Sequence, residues 1–152
     1  MMTDREKDDI YYVCSLIEFV GRRTKNTNAE TVKMIGKKEL AWQLEIADTS
    51  HCLSFEEVGD ELIEKCQITT GDFDSEGNCE YDVPNHISIG GVYSDLIIEL
   101  VEKGDDLQPI EVMYEVFTSF ISADISDFNT STFYENPSFI YYSYLNGELI
   151  ND

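Results

Sequence analysis

Three groupings in this chain place chemically capable side chains at spacings that ligands or reactions use. The densest is Asp72-Phe73-Asp74-Ser75-Glu76-Gly77-Asn78-Cys79-Glu80. Carboxylates at the first, third and fifth positions, with glycine at the sixth, open a calcium loop: alternate oxygens wrap a hard cation and the glycine takes the sharp turn. Asp72, Asp74 and Glu76 are thus the candidate metal ligands, and calcium is the cation they suit. Position twelve of such a loop carries a bidentate glutamate, but here it is Val83, with Pro84 after it. The competing reading is an acidic surface loop in which Gly77 supplies a turn.

The second grouping is Asp48, His51 and Cys52. A thiol beside an imidazole, with a carboxylate one helical turn earlier, has the components of a nucleophile–base pair. Adjacent side chains on a helix diverge, however, and a base must come within about 3 Å of its nucleophile. The spacing therefore favours a structural His51, capping or partly buried and hydrogen-bonded to Asp48. Cys66, Cys79 and His86 follow no zinc-site spacing, and Gly90-Gly91 lacks the lysine that follows in a phosphate-binding loop. No catalytic residue is assigned, and an enzyme is the less favoured reading. A small hydrolase or transferase stays as an alternative, and its mark would be a pocket holding His51 or His86 beside a carboxylate.

The third grouping is the acidic side chains themselves. The 152 residues hold 31 acids against 10 bases, a formal charge of −21. Residues 1–50 carry nine acids and eight bases, including Arg22, Arg23, Lys25, Lys33, Lys37 and Lys38. Residues 51–152 carry 22 acids and only Lys65 and Lys103, so that segment alone holds −20. A chain with this balance is no direct nucleic-acid binder, because phosphates must be met by Lys and Arg. Nor does it suit an anionic membrane surface. With 42% hydrophobic and 12% aromatic residues, it is also too apolar for an acidic disordered tail.

The elements that position these groups read as helices. Ile10, Val13, Cys14, Ile17 and Val20 share a face between about Asp4 and Gly21. Asn28 is placed to cap a short helix that Gly36 stops, and Lys37 to about Asp48 gives a third with Leu40, Leu44 and Ala47 inward. Ser54-Phe55-Glu56-Glu57 has the pattern of a capping box. The helix it opens sets Phe55, Val58, Leu62 and Cys66 opposite Glu57, Asp60, Glu61 and Glu64. After a long loop from Gln67 to Asn85, Ile89, Val92, Leu96 and Leu100 form a stripe with Asp95, Glu99 and Glu102 across from it. Pro109 suits a first helical turn, followed by Ile110, Met113, Phe117 and Phe120, with Glu111 and Glu115 on the polar side. Asn136-Pro137 starts a further helix stopped by Gly147, in preference to a short β-hairpin turning at Asn146-Gly147. The fold class is therefore all-α, a bundle of about six helices. It forms a single domain, 1–152, with a near-neutral helical region 1–66, an acidic loop 67–87 and an acidic helical region 88–152.

Residues 1–10 are polar and of mixed charge, unlike a signal peptide, and no apolar run approaches the roughly 18–20 residues that span a bilayer. Cys14, Cys52, Cys66 and Cys79 show no paired spacing, which favours reduced thiols and a cytoplasmic location.

Residues from about Leu16 to Glu64 resemble a small bacterial helical domain family of unknown function. The likeness rests on Leu16-Ile17-Glu18, on Asp48 with His51 three residues on, and on Asp60-Glu61-Leu62; Ser50 stands where the family usually has a hydrophobic residue. The resemblance implies a compact helical module and no particular activity.

Function is then carried by charge. A field of this size costs stability through self-repulsion, and it steers basic surfaces towards it. Solubility alone needs a net charge of about 2–8. The expectation is an acidic protein-binding module facing a basic partner through Glu57, Asp60, Glu61, Glu64, Asp95, Glu99, Glu102, Glu111 and Glu115. More narrowly, it is a phage or mobile-element inhibitor that imitates nucleic-acid charge in the groove of a nucleic-acid-binding enzyme. The alternative is a calcium-responsive helical module built on the 72–80 loop. The aromatic run at Tyr141, Tyr142 and Tyr144 completes a core or forms a homo-oligomer seam.

Overall fold

Five of the eight α-helices among the described residues start at a side-chain cap. In the computed structural model, which describes residues 1–150, Thr3 and Glu6 form a capping box that opens α1 (Asp4–Thr24), and Thr27 and Glu30 form another that opens α2 (Asn28–Ile35). Each box satisfies two amides that the first helical turn leaves without partners. Gly36 links α2 to α3 (Lys37–Ser50) without a side-chain cap. Ser54 caps α4 (Phe55–Cys66), Asn85 caps α5 (His86–Lys103), and Asn136 caps α8 (Pro137–Asn146). Between α5 and α8 lie α6 (Pro109–Phe117), α7 (Phe120–Ser126) and a 3-10 turn (Thr132–Tyr134). No strand occurs among the described residues, and no helix there is long and apolar enough to cross a membrane.

The all-α reading therefore holds, with eight α-helices among the described residues where about six were expected. One difference lies at residues 109–126. The Thr118 hydroxyl donates to the Tyr114 carbonyl at 2.8 Å and the Ser119 hydroxyl to the Val116 carbonyl at 2.7 Å. Such hydroxyls compete with the backbone ladder, and the helix stops there. The expected stripe ending at Phe120 is split: Met113 and Phe117 are buried on α6, whereas Phe120 starts α7 half-buried. Two caps also differ. Thr27, not Asn28, caps α2, and Glu57 meets the Ser54 hydroxyl at 3.3 Å, leaving a one-sided cap at α4. The tail is a helix closed by Gly147 in the left-handed region (φ 83°), and the hairpin does not form.

α1 is the axis of the fold, with α2, α3, α4 and α5 all packed against it and α5 as its main neighbour. The two run antiparallel: Lys7 near the start of α1 pairs with Glu102 at the end of α5, and Arg22 at the end of α1 reaches the Pro84 carbonyl ahead of α5. Their crossing is tight because Gly90 has no side chain; a Cβ there would lie 2.1 Å from Ser15 Oγ. α6 packs against α2, α3, α5 and α7, and α8 against α5 and α7.

A buried polar network pins these helices together. Glu18 is 3% exposed and accepts from Arg22 Nε at 2.7 Å and from Asn28 Nδ2 at 2.8 Å. Asn28 Nδ2 also reaches the Tyr93 hydroxyl at 3.2 Å, which lies 2.9 Å from Ser122 Oγ and 3.4 Å from Ser126 Oγ. Burial pushes the Tyr93 phenol up to about 12, so it is a neutral donor at any physiological pH. Groups from α1, α2, α5 and α7 thereby satisfy one another, as buried polar groups must.

The 67–85 segment is a loop, as expected, and it is strapped at both ends. Gly71 and Phe73 donate backbone N–H groups to the Thr24 and Lys25 carbonyls at 2.9 and 2.8 Å. Asn129 holds the far end, accepting from the Glu80 amide and donating to the Asn78 carbonyl, both at 2.8 Å.

Candidate functional site

The nine acidic residues assigned to a partner surface fall into three unequal environments. On α4, Asp60 is bonded to Arg23 at 3.1 Å, while Glu57, Glu61 and Glu64 are exposed and have no basic partner within 4 Å among the described residues. On α5, Glu99 pairs with Lys103 at 3.5 Å and Glu102 with Lys7 at 3.7 Å. Asp95 on the same helix has no ion pair among the described residues, and its carboxyl is raised above the usual range, first by burial and then by Glu99. On α6, Glu111 bonds to Lys37 at 2.9 Å, and Glu115 is exposed without a basic partner among the described residues. α4 makes its main contacts with α1 and α2, whereas α6 contacts α2, α3, α5 and α7. The uncompensated acids with helical repeat are therefore those of α4.

Half of the basic island of the first third is paired with carboxylates of the fold. Arg22 turns to Glu18, Arg23 to Asp60 and Lys37 to Glu111. Among the described residues, seven of the ten bases stand in ion pairs, and Lys25, Lys33 and Lys38 are the exposed remainder. In the last turn of α4, Lys65 pairs with Glu39 at 2.9 Å in a groove that it shares with Trp42, which is 47% exposed.

In the 72–80 loop, Asp74 is occupied by its own turn. Its carboxylate accepts from the Gly77 amide at 2.8 Å, and a Cβ at Gly77 would meet it at 2.3 Å. Gly77 therefore serves the turn, and Asp72 and Glu76 are exposed. Among the described residues, no three His, Cys, Asp or Glu side chains converge in a way that would hold a metal ion.

His51 and Asp48 do meet in a concavity, of about 550 Å³, between the first half of α1, the end of α3, and the first residues of α4 and α5. The expected hydrogen bond between them is absent, because Asp48 is taken by Arg5. The polar neighbour of the His51 ring is Cys52, whose Sγ lies 3.9 Å from Nδ1, and both side chains are exposed. His86 is set between Phe19 and Phe55, ring centroids 5.4 and 4.8 Å away, with Nε2 buried and unpartnered. Its pKa is lowered, first by burial and then by Arg22. Among the described residues, neither histidine has the hydrogen-bonded carboxylate that would orient a general base.

The same concavity collects residues that carry no functional signal in the sequence. Tyr12 stacks on Phe55 at 5.4 Å, with Ala47 and Ile87 completing the apolar floor. Asp8 and Asp9 line the rim with Asp48 and Arg5. Burial raises the Asp9 carboxyl above the usual range against the pull of Arg5, and Asp48 and Asp8 push it the same way. The one local signal is Ser15, a hydroxyl within the apolar run of α1.

No family model matches the chain, and no curated protein or solved structure is similar to it.

Proposed function

We propose that the chain is an acidic protein-binding module acting in the cytoplasm, an inhibitor that presents carboxylates to a basic groove in place of a nucleic-acid backbone. The observation that carries this reading is the state of α4. Glu57, Glu61 and Glu64 lie three and four residues apart, so they share one helix face at roughly the 5.4 Å pitch. Among the described residues they stay exposed with no basic partner within 4 Å, although the same helix carries Asp60, paired with Arg23, and Lys65, paired with Glu39. The −20 carried by residues 51–152 exceeds the net charge of about 2–8 that solubility needs, at a cost in self-repulsion. Trp42, exposed beside Lys65 of α4, adds the kind of aromatic side chain that anchors interfaces.

The test uses purified nucleic-acid-binding proteins with basic grooves and follows Trp42, the single tryptophan, by fluorescence. Binding should weaken steeply as salt rises to about 0.5 M, where the Debye length is a few Å, and duplex DNA should compete. The triple variant Glu57→Gln, Glu61→Gln, Glu64→Gln should bind at least about tenfold more weakly, a factor expected when several steering charges are lost. Salt-independent binding, or binding that DNA does not displace, would overturn nucleic-acid mimicry.

A further inference from the structure

We propose that the concavity beside the first half of α1 is a binding site for a small organic ammonium ion with an aromatic or bulky aliphatic body, a function separate from the α4 surface. Its volume of about 550 Å³ lies within the roughly 300–1,000 Å³ of small-ligand sites. A ligand of that size can therefore be accommodated.

Three independent features define the occupant. The floor is apolar and partly aromatic: Tyr12 and Phe55 are stacked with an interplanar angle of 21°, and Ala47 and Ile87 flank them. Such a surface receives a ring or branched chain, and aromatic faces also attract a nearby cation. Next, two polar side chains lining the site are unsatisfied. Ser15 is 1% exposed, and its hydroxyl and that of Tyr12 are buried with no hydrogen-bond partner among the described residues. Folded proteins almost always pair such groups. Ser15 Oγ lies against Gly90 in the α1–α5 crossing, so the two orphans mark unmet polar capacity just beneath the floor of the concavity.

The charge at the rim fixes the sign. Asp8, Asp9 and Asp48 face one arginine, Arg5, which is already bonded to Asp48. With His51 also on the wall, three carboxylates face one guanidinium and one imidazole, and the rim is net negative. Burial disfavours the ionised form of Asp9, and an ammonium group placed against it would remove that penalty by a charge-assisted hydrogen bond. An anion would meet the same net negative rim and be repelled.

The probes are 2-phenylethylamine and its uncharged counterpart 2-phenylethanol, titrated into the intact chain by calorimetry and by amide NMR. The amine should bind at least about tenfold more tightly than the alcohol, the factor one hydrogen bond to a charged group supplies. Its shifts should be confined to residues around Asp9, Ser15, Asp48 and Phe55. Asp9→Asn, at a half-exposed position, should reduce amine affinity about fivefold or more while leaving the alcohol unchanged. Equal affinity for the two probes overturns the proposal. So does the absence of localised shifts at about 10 mM amine, the weak limit of measurable binding, or a scatter of shifts over the acidic helices. The two-probe comparison on the unmodified chain does not depend on any variant folding.

Discussion

α1 carries two polar patches into the interior, and they are built on opposite terms. Towards its C-terminal end Glu18, Arg22, Asn28, Tyr93 and Ser122 form a closed circuit in which each group meets another. One turn earlier, Ser15 and Tyr12 carry buried hydroxyls with no partner, and His86 adds an unpartnered Nε2 behind Phe55. Both patches sit against α5, so packing density does not distinguish them. What differs is whether the fold completes them. A closed polar circuit costs much to break and fixes helix register. An open one holds unmet hydrogen-bonding capacity that a ligand can meet.

The largest effect expected from this contrast is at Glu18. Its side chain is 4% exposed and that of Arg22 12%, so Glu18→Ala leaves a nearly buried guanidinium with no carboxylate among the described residues and only the Pro84 carbonyl to bond. Removing one partner of such a pair costs about 3–5 kcal/mol. Chemical denaturation should show a much lower midpoint at unchanged slope. A loss under about 1 kcal/mol would mean that Arg22 finds water or another partner easily, and the closed circuit would then not be the anchor of the fold. Tyr93→Phe is the next step down. The ring keeps its stack on Phe117, centroids 4.1 Å apart, so only the hydroxyl is lost. Asn28, Ser122 and Ser126 are left short of a partner, at a cost of about 1–3 kcal/mol.

That circuit shows where sequence reading succeeds and where it stops. The helices were legible because their determinants are local: Thr3, Thr27, Ser54, Asn85 and Asn136 cap within three residues, and apolar stripes repeat every three or four. The break at Thr118–Ser119 was not, since it depends on which carbonyl each hydroxyl chooses. Leu16-Ile17-Glu18 drew attention through a resemblance. Yet nothing in spacing says that Glu18 faces Arg22 and Asn28, because Asn28 reads equally well as a cap. Residue type exposed the acidic character of α4. Which acids stay unpaired depends on long-range neighbours such as Arg23 and Lys37. The concavity was invisible for the same reason, since its walls come from four helices and its polar members, Tyr12 and Ser15, look like ordinary core residues until their partners are sought.

The open patch should also show in the pH dependence of stability. His86 is held neutral among Phe19, Phe55 and Arg22, so its folded pKa lies below the ordinary value of 6.5. Between the folded pKa and 6.5 the unfolded chain binds a proton that the folded chain refuses, and stability falls as pH falls through that window. Asp9, Asp95 and Asp124 have raised pKa values, so the folded chain binds protons more tightly than the unfolded one. Their contribution has the opposite sign: stability rises as pH falls towards the raised values. Stability against pH should therefore dip on acidification below about 6.5 and then recover in part, since Glu6, whose pKa is lowered by its hydrogen bonds to Thr3, works against the three aspartates. His86→Phe should abolish the dip and keep the recovery. A dip that survives the substitution would assign it to some other group.

The smallest expected change is the sharpest discriminator between the two patches. Tyr12→Phe and Ser15→Ala each delete a hydroxyl that bonds to nothing among the described residues. Deleting an unpaired buried polar group removes its desolvation penalty, and the phenyl ring left by the first substitution would still stack on Phe55. Both variants should match the parent within about 0.5 kcal/mol or exceed it slightly. The same chemical change at Tyr93, a hydroxyl removed from a stacked tyrosine, should destabilise clearly. If Tyr12→Phe costs as much as Tyr93→Phe, the Tyr12 hydroxyl has a partner within the fold, and the distinction between a closed circuit and an open site fails. If the two differ as expected, the hydroxyls at Tyr12 and Ser15 are dispensable for folding, and their role must be sought in what occupies the concavity.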